Sequence, residues 1–599
     1  MLVTSSDMME KESAGAAQDI SRWFGSLGWT AFPFQEEAWR AYLLSKNGLI
    51  HAPSGVGKTY AAIGGPAQEA MTEARQADGV QVVWVTPLRA LANDTASAIH
   101  RLLIGVGLEW DVQIRHGDIP SSKRQKQRQR LPEVLVTTPE SLTLLLSYDD
   151  AGEKFRNLRC VVCDEWHELL GTKRGVQTEL ALARLQSINP DMVRWGLSAT
   201  LGNLSEALGV LVGESAGDSI LIEGKKDKRI EIETLLPDEI ERFPWSGHLG
   251  TRLLDRVIER ILAARTSLVF TNTRAQSELW YQALIKAAPS LESRIAVHHG
   301  SLSKQLRLGV EDQLNAGELL AVICTSSLDL GVDFSPVEQV IQIGSPKGIA
   351  RLTQRAGRSG HKPGATSKVF GVPTNALEIL EFAAAQEAMN RGEIESRRPI
   401  RAPLDVLLQH VITMSISGLL TEDELLRQVR STAAYRELQS KDWEWVLGFA
   451  KGRIGALKAY PEYQKVTECG GKLVVAQKRI GQMHRMGIGT ITSDVEVAVK
   501  LQGGGVLGHI EERFITRLKS GDQFSFAGSR LELVRFRGVV AEVKRAQRAT
   551  GHTPSWQGGS APLSSELAFA VSREITQRES GPAPSCSIEL QRQCPIFCV

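Results

Sequence analysis

The chain is 599 residues long, 42% hydrophobic and 23% charged, with a formal net charge of +2. Such a length needs several domains, and so small a net charge means that any surface for a polyanion must come from local patches. No apolar run approaches the roughly 18 residues that cross a bilayer. The opening M-L-V-T-S-S-D-M-M-E-K-E places acids where a secretory signal needs a basic segment followed by an apolar one. Seven scattered cysteines fit a reducing compartment rather than a disulfide framework. A cytoplasmic protein with no membrane partner is expected.

From Leu27 to about residue 345 one rhythm recurs: a short apolar run, a turn, then a helical segment. The runs are G-L-I-H-A (48–52), V-V-W-V (82–85), V-L-V-T (134–137), C-V-V-C (160–163) and W-G-L-S (195–198). S-L-V-F (267–270), A-V-I-C (321–324) and Q-V-I-Q-I (339–343) follow. Short, continuously apolar strands alternating with helices predict parallel sheets covered on both faces. The basic stretch G-K-K-D-K-R (224–229) divides two such groups and reads as a linker, so the fold class is α/β with two sheet domains in tandem. Residues 401–465 are mainly helical in pattern, as in P-L-D-V-L-L-Q-H-V-I-T-M. From about residue 470 the texture becomes β-like and Gly-rich, through V-E-V-A-V-K-L, G-G-G-V-L-G-H-I and F-S-F-A-G-S-R-L-E-L-V-R.

Cys160 and Cys163 have the spacing of a redox or zinc pair, but they sit in an apolar strand pattern that sends them to opposite faces. No second pair with ligand spacing accompanies them. They are expected as buried strand residues.

Chemistry is concentrated after the first strands. A-P-S-G-V-G-K-T (52–59) is a P-loop with Ala in place of the first Gly. Ser54, Gly55 and Gly57 would wrap phosphates with backbone N–H groups at a helix N-terminus. Lys58 would neutralise the β- and γ-phosphates, and the Thr59 hydroxyl would ligate Mg²⁺. The strand C-V-V-C runs into Asp164-Glu165-Trp166-His167, at the end where parallel sheets present ligand sites. Asp164 suits Mg²⁺ through water, and Glu165 suits the attacking water as base. Upstream, F-P-F-Q (32–35) offers an aromatic ring, Phe32, and an amide, Gln35, for an adenine edge. In the second sheet domain, Q-R-A-G-R-S-G-H (354–361) follows G-V-D-F (331–334). An Arg brought from there to the γ-phosphate would stabilise transition-state charge and make hydrolysis depend on domain closure.

In order, F-P-F-Q, A-P-S-G-V-G-K-T, T-P-L-R-A-L-A-N-D (86–94), T-T-P-E-S-L (137–142), D-E-W-H and S-A-T (198–200) are followed by V-F-T-N-T-R-A-Q-S-E (269–278). H-H-G-S-L (298–302), T-S-S-L-D-L-G-V-D-F (325–334) and Q-R-A-G-R-S-G-H complete the series. The pattern resembles superfamily 2 DExH helicases, specifically the Lhr-like, ligase-associated DEXH-box group. The resemblance implies a tail (1–20), two RecA-like domains (21–222 and 223–397), a winged-helix domain (398–470) and a β-rich fourth domain (471–599). Members typically run on further, so the fourth domain is expected to be partial. It also implies ATP- and Mg²⁺-dependent 3′-to-5′ translocation on single-stranded DNA, with unwinding of DNA duplexes or RNA–DNA hybrids. DNA repair in a bacterial, nucleoid-associated setting follows by the same resemblance, with ligase or nuclease partners.

Carried over by position, Lys58, Asp164, Glu165, Gln354 and Arg358 are the catalytic set, with Arg358 as the arginine finger. His361 stands where many superfamily 2 proteins carry a second finger Arg, a charge that a neutral imidazole cannot supply. Gly331 and Asp333 would sit by the ribose. Arg89, Thr138 and Arg274 match strand-contacting positions. Trp556 either stacks on a base or closes a β-domain core. The run S-S-K-R-Q-K-Q-R-Q-R (121–130) either neutralises phosphates or is a solvated basic loop. Two other functions stay open: an RNA-directed DExH helicase, and a nucleic-acid-binding remnant without productive translocation.

Overall fold

The computed structural model describes residues 19–72, 78–213, 218–224, 229–236, 251–329, 336–360, 366–454, 464–488, 496–546, 554 and 562–580. The chain forms two compact units, each built from separated stretches: residues 1–226 with 396–490, and residues 227–395 with 491–599.

The first unit is organised on β1 (Asn47–His51), β2 (Val82–Val85), β3 (Val112–Arg115), β4 (Val134–Thr137), β5 (Cys160–Cys163), β6 (Val193–Ser198) and β7 (Ser219–Glu223). Their order is β3–β4–β2–β5–β6–β1–β7, with every neighbouring pair parallel. Alternate residues feed two cores. Leu49, Val83, Leu135, Val161 and Cys163 line one face, and Ile50, Val82, Trp84, Val134 and Cys160 the other. Cys160 and Cys163 are therefore buried on opposite faces, as the strand period requires, and burial raises both thiol pKa values.

The second unit carries β8 (Ile230–Thr234), β9 (Ser267–Phe270), β10 (Ile295–His298), β11 (Ala321–Cys324), β12 (Gln339–Ile343) and β13 (Ser367–Val372). These form a parallel sheet in the order β10–β11–β9–β12–β13–β8. Both sheets are RecA-like, and all eight predicted apolar runs are strands in them. The strands that the apolar pattern passed over are mostly edges: β3, β7, β8 and β10. An edge strand meets fewer neighbours and tolerates polar alternation such as I-E-I-E-T.

The basic run proves to be a helix rather than a loop, Ser121–Gln129. Gln127 anchors it, buried and donating to Gln113 Oε1 at 2.9 Å and to the Ile114 carbonyl at 3.0 Å. Lys, Arg and Gln are good helix formers, and Arg128 adds a contact over the Tyr148 ring.

Beyond the two sheets, helices Leu404–Ser417, Glu422–Arg430 and Ser440–Ala450 precede the antiparallel hairpin of β14 (Val466–Cys469) and β15 (Lys472–Val475). This winged-helix module shares one core with the first sheet domain. Leu407, Val411, Tyr435 and Trp443 are buried in the same cluster as Trp166 and Leu180, and Glu179 accepts the Ala434 N–H at 2.9 Å.

In the second unit a five-stranded mixed sheet is built from β16 (Glu496–Leu501), β17 (Val506–Glu511), β18 (Gln523–Phe526), β19 (Ser529–Arg537) and β20 (Val540–Arg545). It docks by backbone on the loop after β10. The Ser303 N–H donates to the Leu507 carbonyl, and the His509 N–H to the Ser301 carbonyl, both at 2.8 Å. Buried Glu278 accepts the N–H groups of Ala527 at 2.6 Å and Gly528 at 3.2 Å. Among the described residues, no helix is long and apolar enough to cross a membrane.

Candidate functional site

The carboxyl ends of β1, β5 and β6, which are neighbours in the first sheet, bring three sequence motifs together. After β1 the chain turns through Gly55 and Gly57, whose φ angles are +77° and +82°, and enters helix Lys58–Thr72. Lys58 is buried and donates to the carbonyls of Ala52 at 2.9 Å and Pro53 at 3.1 Å. Its ammonium is thus held across the mouth of its own loop. Thr59 is the second helical residue, half-buried, and Ser54 is likewise half-buried in the loop.

Gln35 lies beneath the loop. Its Nε2 donates to the Gly57 carbonyl at 3.0 Å, and its Oε1 accepts the Phe32 N–H at 2.8 Å. A Cβ on Gly57 would stand 2.7 Å from Gln35 Nε2, so the two residues fix each other. Phe32 is 42% exposed, with its ring stacked on Phe34 at 5.9 Å.

At the end of β5, the buried Asp164 accepts the Trp84 indole N–H at 3.1 Å through Oδ2 and the Glu165 backbone N–H at 2.9 Å through Oδ1. Burial, with the neighbouring Glu165 carboxylate, pushes Asp164 up to about 6, against the pull of Lys58. Glu165 holds a left-handed backbone, φ +44°, a conformation that non-glycine residues keep only when their surroundings enforce it. Its Oε2 is buried with no hydrogen-bond partner among the described residues, and lies 3.5 Å from His167 Nδ1. The same His167 nitrogen is 3.2 Å from Ser198 Oγ at the end of β6. The Ser198 carbonyl accepts the Ala52 N–H at 3.0 Å.

In the second unit, helix Ile349–Ala356 carries Gln354 and Arg355. Arg355 is 1% exposed and grips Asp329 with two bonds, at 2.7 and 3.2 Å. It also donates to Gln342 Oε1 and lies over the Phe270 ring, 4.6 Å from its centroid. Arg358 follows in the turn after the helix and is buried, as is Gln354. Of the two arginines in Q-R-A-G-R, Arg355 anchors the helix through its side chain, and the Arg358 N–H donates to the Arg355 carbonyl at 2.9 Å. Gly331, Asp333 and His361 lie outside the described residues.

The expected strand-contacting residues stand at strand-to-helix turns. Arg89 opens helix Arg89–Gly105 after β2 and pairs with Asp118 at 2.6 Å. Thr138, buried, is the N-cap residue of helix Pro139–Leu146 after β4. Arg274 opens helix Arg274–Ala287 after β9 and donates to Ser301 Oγ at 2.7 Å. All three occupy carboxyl ends of parallel strands, the edge that binds ligands in such sheets. Trp556 lies outside the described residues.

The sequence matches the DEAD/DEAH box helicase family over residues 32–207 and the helicase conserved C-terminal domain over 251–362. Over 387–553 it matches the winged helix domain of the large helicase-related protein. It is 33% identical to ATP-dependent helicase Lhr-Core protein 2 of Thermococcus barophilus, across 93% of this chain and 67% of that one. The chain belongs to the Lhr helicase family. Lhr-Core of Methanothermobacter thermautotrophicus is also 33% identical, across 88% of this chain and 63% of that one. This Lhr-family chain thus spans about two thirds of the length of such relatives. Among solved structures, Mycobacterium smegmatis helicase Lhr bound to ssDNA and AMP-PNP is similar, with a TM-score of 0.73 and 26% identity. The match covers 96% of this chain and 71% of that one. The DUF1998 helicase MrfA bound to DNA shares the fold, with a TM-score of 0.71 at 19% identity, over 88% of this chain and 73% of that one. The two sheet domains of this Lhr-family chain are those of an ATP-hydrolysing helicase.

Four residues of the Lhr-family site gained their place only in three dimensions. His167 and Ser198 were present in D-E-W-H and S-A-T, but nothing in the spacing showed that they meet. Trp84 looked like one more apolar strand residue, and its bond to Asp164 arises because β2 and β5 are neighbours. Asp329, the partner of Arg355, sat inside T-S-S-L-D-L with no periodicity to mark it.

Proposed function

We propose that this Lhr-family chain hydrolyses ATP to move 3′-to-5′ along single-stranded DNA, unwinding DNA duplexes or RNA–DNA hybrids, with Mg²⁺ as cofactor. The convergence of Lys58, Asp164–Glu165 and His167–Ser198 at three adjacent strand ends carries this reading. It offers a cation for the phosphates, a carboxylate for a metal, and an unsatisfied carboxylate oxygen for the attacking water. Thr59 and Asp164 supply a hydroxyl and one carboxylate, a donor set that suits Mg²⁺, which is held by few protein ligands plus phosphates and water. The exposed Phe32 ring supports adenine stacking, and the Gln35–Gly57 bond supports coupling between base recognition and the phosphate loop.

In this proposal Arg358, with Gln354 beside it, serves as the arginine finger of ATP hydrolysis. Gly331 and Asp333 serve the ribose. Arg89, Thr138, Arg274 and Trp556 track the strand through its phosphates and bases. Single-stranded DNA is supported by the similar Mycobacterium smegmatis helicase Lhr, which was solved with it. Polarity, repair with ligase or nuclease partners, and a bacterial cytoplasmic, nucleoid-associated setting are supported by the family resemblance.

The test is ATP turnover with DNA and RNA single strands, together with strand displacement on 3′-tailed and 5′-tailed duplexes. Stimulation by DNA and displacement only with a 3′ tail are expected. Greater stimulation by RNA would transfer the reading to an RNA-directed helicase. DNA binding without stimulated turnover would reduce the chain to a binding remnant.

A further inference from the structure

Helix Ile349–Ala356 begins at Gly348, which has no side chain to cap it. The first amides of a helix lack intrahelical acceptors, and the usual remedy is a Ser, Thr, Asp or Asn at the N-cap position itself. Here the acceptor comes from 46 residues away. Glu395 accepts the Ile349 N–H through Oε1, and the Ala350 N–H through Oε2 at 2.6 Å. Its carboxylate is buried. Gly348 is required beneath it, because a Cβ there would stand 2.7 Å from Glu395 Oε1.

A third donor completes the carboxylate. Ser564 Oγ reaches Glu395 Oε1 at 2.8 Å, while the Ser564 N–H donates to the Lys347 carbonyl at 2.9 Å. Lys347 itself holds a left-handed φ of +64°. Ser564 leads directly into helix Ser565–Ser580, whose Leu567 and Ala570 are buried in the core of the second sheet domain. Arg573 of that helix pairs with Glu393. Two segments distant in sequence are thus held on the start of one helix.

Burying a carboxylate is costly unless its lone pairs are satisfied by good donors. A polar residue at position 348 would have capped the helix without burying any charge. The long-range acid therefore does something that a local cap could not: it joins the helix to another part of the chain. Glu395 is the last residue of its unit before the chain passes into the 396–490 stretch. We infer that Glu395 is a positioning residue for Arg358, holding the start of the arginine helix by a link that sits one peptide from the crossover. Arg355, through Asp329, holds the far end of the same helix. With both ends fixed, the rotation and rise of the helix are set, and the turn carrying Arg358 is set with them. The inference rests on Arg358 being the arginine finger of the proposed motor.

The experiment is a double-substitution series in the full chain, read as DNA-stimulated kcat and KM for ATP. Misplacing a reacting group by about 1 Å costs on the order of 100-fold in rate, so Glu395→Ala is expected to lower kcat roughly 10- to 100-fold while KM changes less than about twofold. Glu395→Gln, which keeps one acceptor oxygen, and Ser564→Ala should fall between. These two milder variants carry the test if Glu395→Ala fails to fold. The deciding comparison is Arg358→Ala with and without the Glu395 substitution. If Glu395 acts through Arg358, the second substitution adds no further loss. An undiminished loss in the Arg358→Ala background, or a wild-type kcat in both the Ala and Gln variants, overturns the inference. Wild-type turnover by Arg358→Ala alone would instead remove the finger from the motor reading and the inference with it.

Discussion

His167 Nδ1 and Ser198 Oγ lie 3.2 Å apart, joining the last residue of D-E-W-H to the first of S-A-T. Both side chains are fully buried, and burial lowers the His167 pKa to about 4, so the ring is neutral at pH 7. The same ring nitrogen faces Glu165 Oε2 at 3.5 Å, while the Ser198 carbonyl holds the first residue of the P-loop. One serine therefore ties the turn that carries Glu165 to the strand that leads into the P-loop. Ser198→Ala leaves a buried imidazole nitrogen short of a partner, at a cost of about 1–3 kcal/mol. Steady-state turnover should fall several-fold with little change in KM for ATP. Unchanged kcat would show that the contact has no part in placing Glu165.

Glu165→Gln should keep ATP and DNA binding and lose turnover by at least about 100-fold, the usual contribution of a general base. The isosteric amide preserves the left-handed backbone and the bond to Asp164, so folding is spared. Binding of a fluorescent ATP analogue beside a phosphate-release assay separates the two effects. Comparable hydrolysis by the variant would remove Glu165 from the role of base.

Gly57→Ala should abolish nucleotide binding while leaving the rest of the first unit folded. The residue has φ +82°, where a Cβ costs roughly 1–2 kcal/mol, and the added carbon meets Gln35 Nε2 at 2.7 Å. Gln35→Ala in the same chain makes room for that carbon but not for the strained backbone, so the double variant should recover only part of the binding. Isothermal titration with a non-hydrolysable ATP analogue reads both.

Arg485 joins the winged-helix module to the first sheet domain. Its guanidinium donates to Ser147 Oγ at 3.0 Å and to the Ser147 carbonyl at 2.9 Å, capping the end of helix Pro139–Leu146 whose other end is Thr138. It also lies over the Tyr148 ring, 4.5 Å from the centroid, with Arg128 at 3.4 Å from the same centroid. Loss of two charge-assisted bonds and a cation–π contact from this half-buried site should cost about 1–3 kcal/mol. Arg485→Ala is expected to lower the urea midpoint of the first unit while nucleotide binding persists. An unchanged midpoint would mean that the contacts contribute nothing net.

Protonation of buried His410 and half-buried His484 should weaken the winged-helix module as pH falls. Burial and Arg184 bring His410 down to about 3. Burial, Lys465 and Arg485 bring His484 down to about 4, against the bond that its ring donates to the Gln409 backbone carbonyl, and the His484 ring meets Thr413 Oγ1 at 2.8 Å. Both folded-state values lie below the ordinary 6.5, so the unfolded chain binds more protons as pH falls. The contribution of these two histidines is full above about 6.5 and declines as pH drops toward 3. Relative to the wild type, His410→Leu should raise the melting temperature more at pH 5 than at pH 7.5. An equal change at the two pH values would contradict the assignment.

The central strands were legible because a strand covered on both faces must be apolar at every position, and C-V-V-C, V-V-W-V and A-V-I-C satisfy that without knowledge of their neighbours. The edge strands β3, β7, β8 and β10 were not, because a strand with one open side can carry charge and lose its signature. The basic run 121–130 does not announce its helix, because its buried anchor, Gln127, is a polar residue whose partners lie on another element.

The same division holds for the site. Lys58, Asp164 and Glu165 announced themselves, since phosphate loops and strand-end acids demand particular residues at fixed short spacing, and the chain determined them alone. That His167 meets Ser198, that Trp84 holds Asp164, and that Glu395 caps the helix leading to Arg358 depended on which strands became neighbours and where distant segments returned. Those contacts join residues about 30 to 80 positions apart, beyond the reach of any local pattern. Only the packing of the sheets decides them.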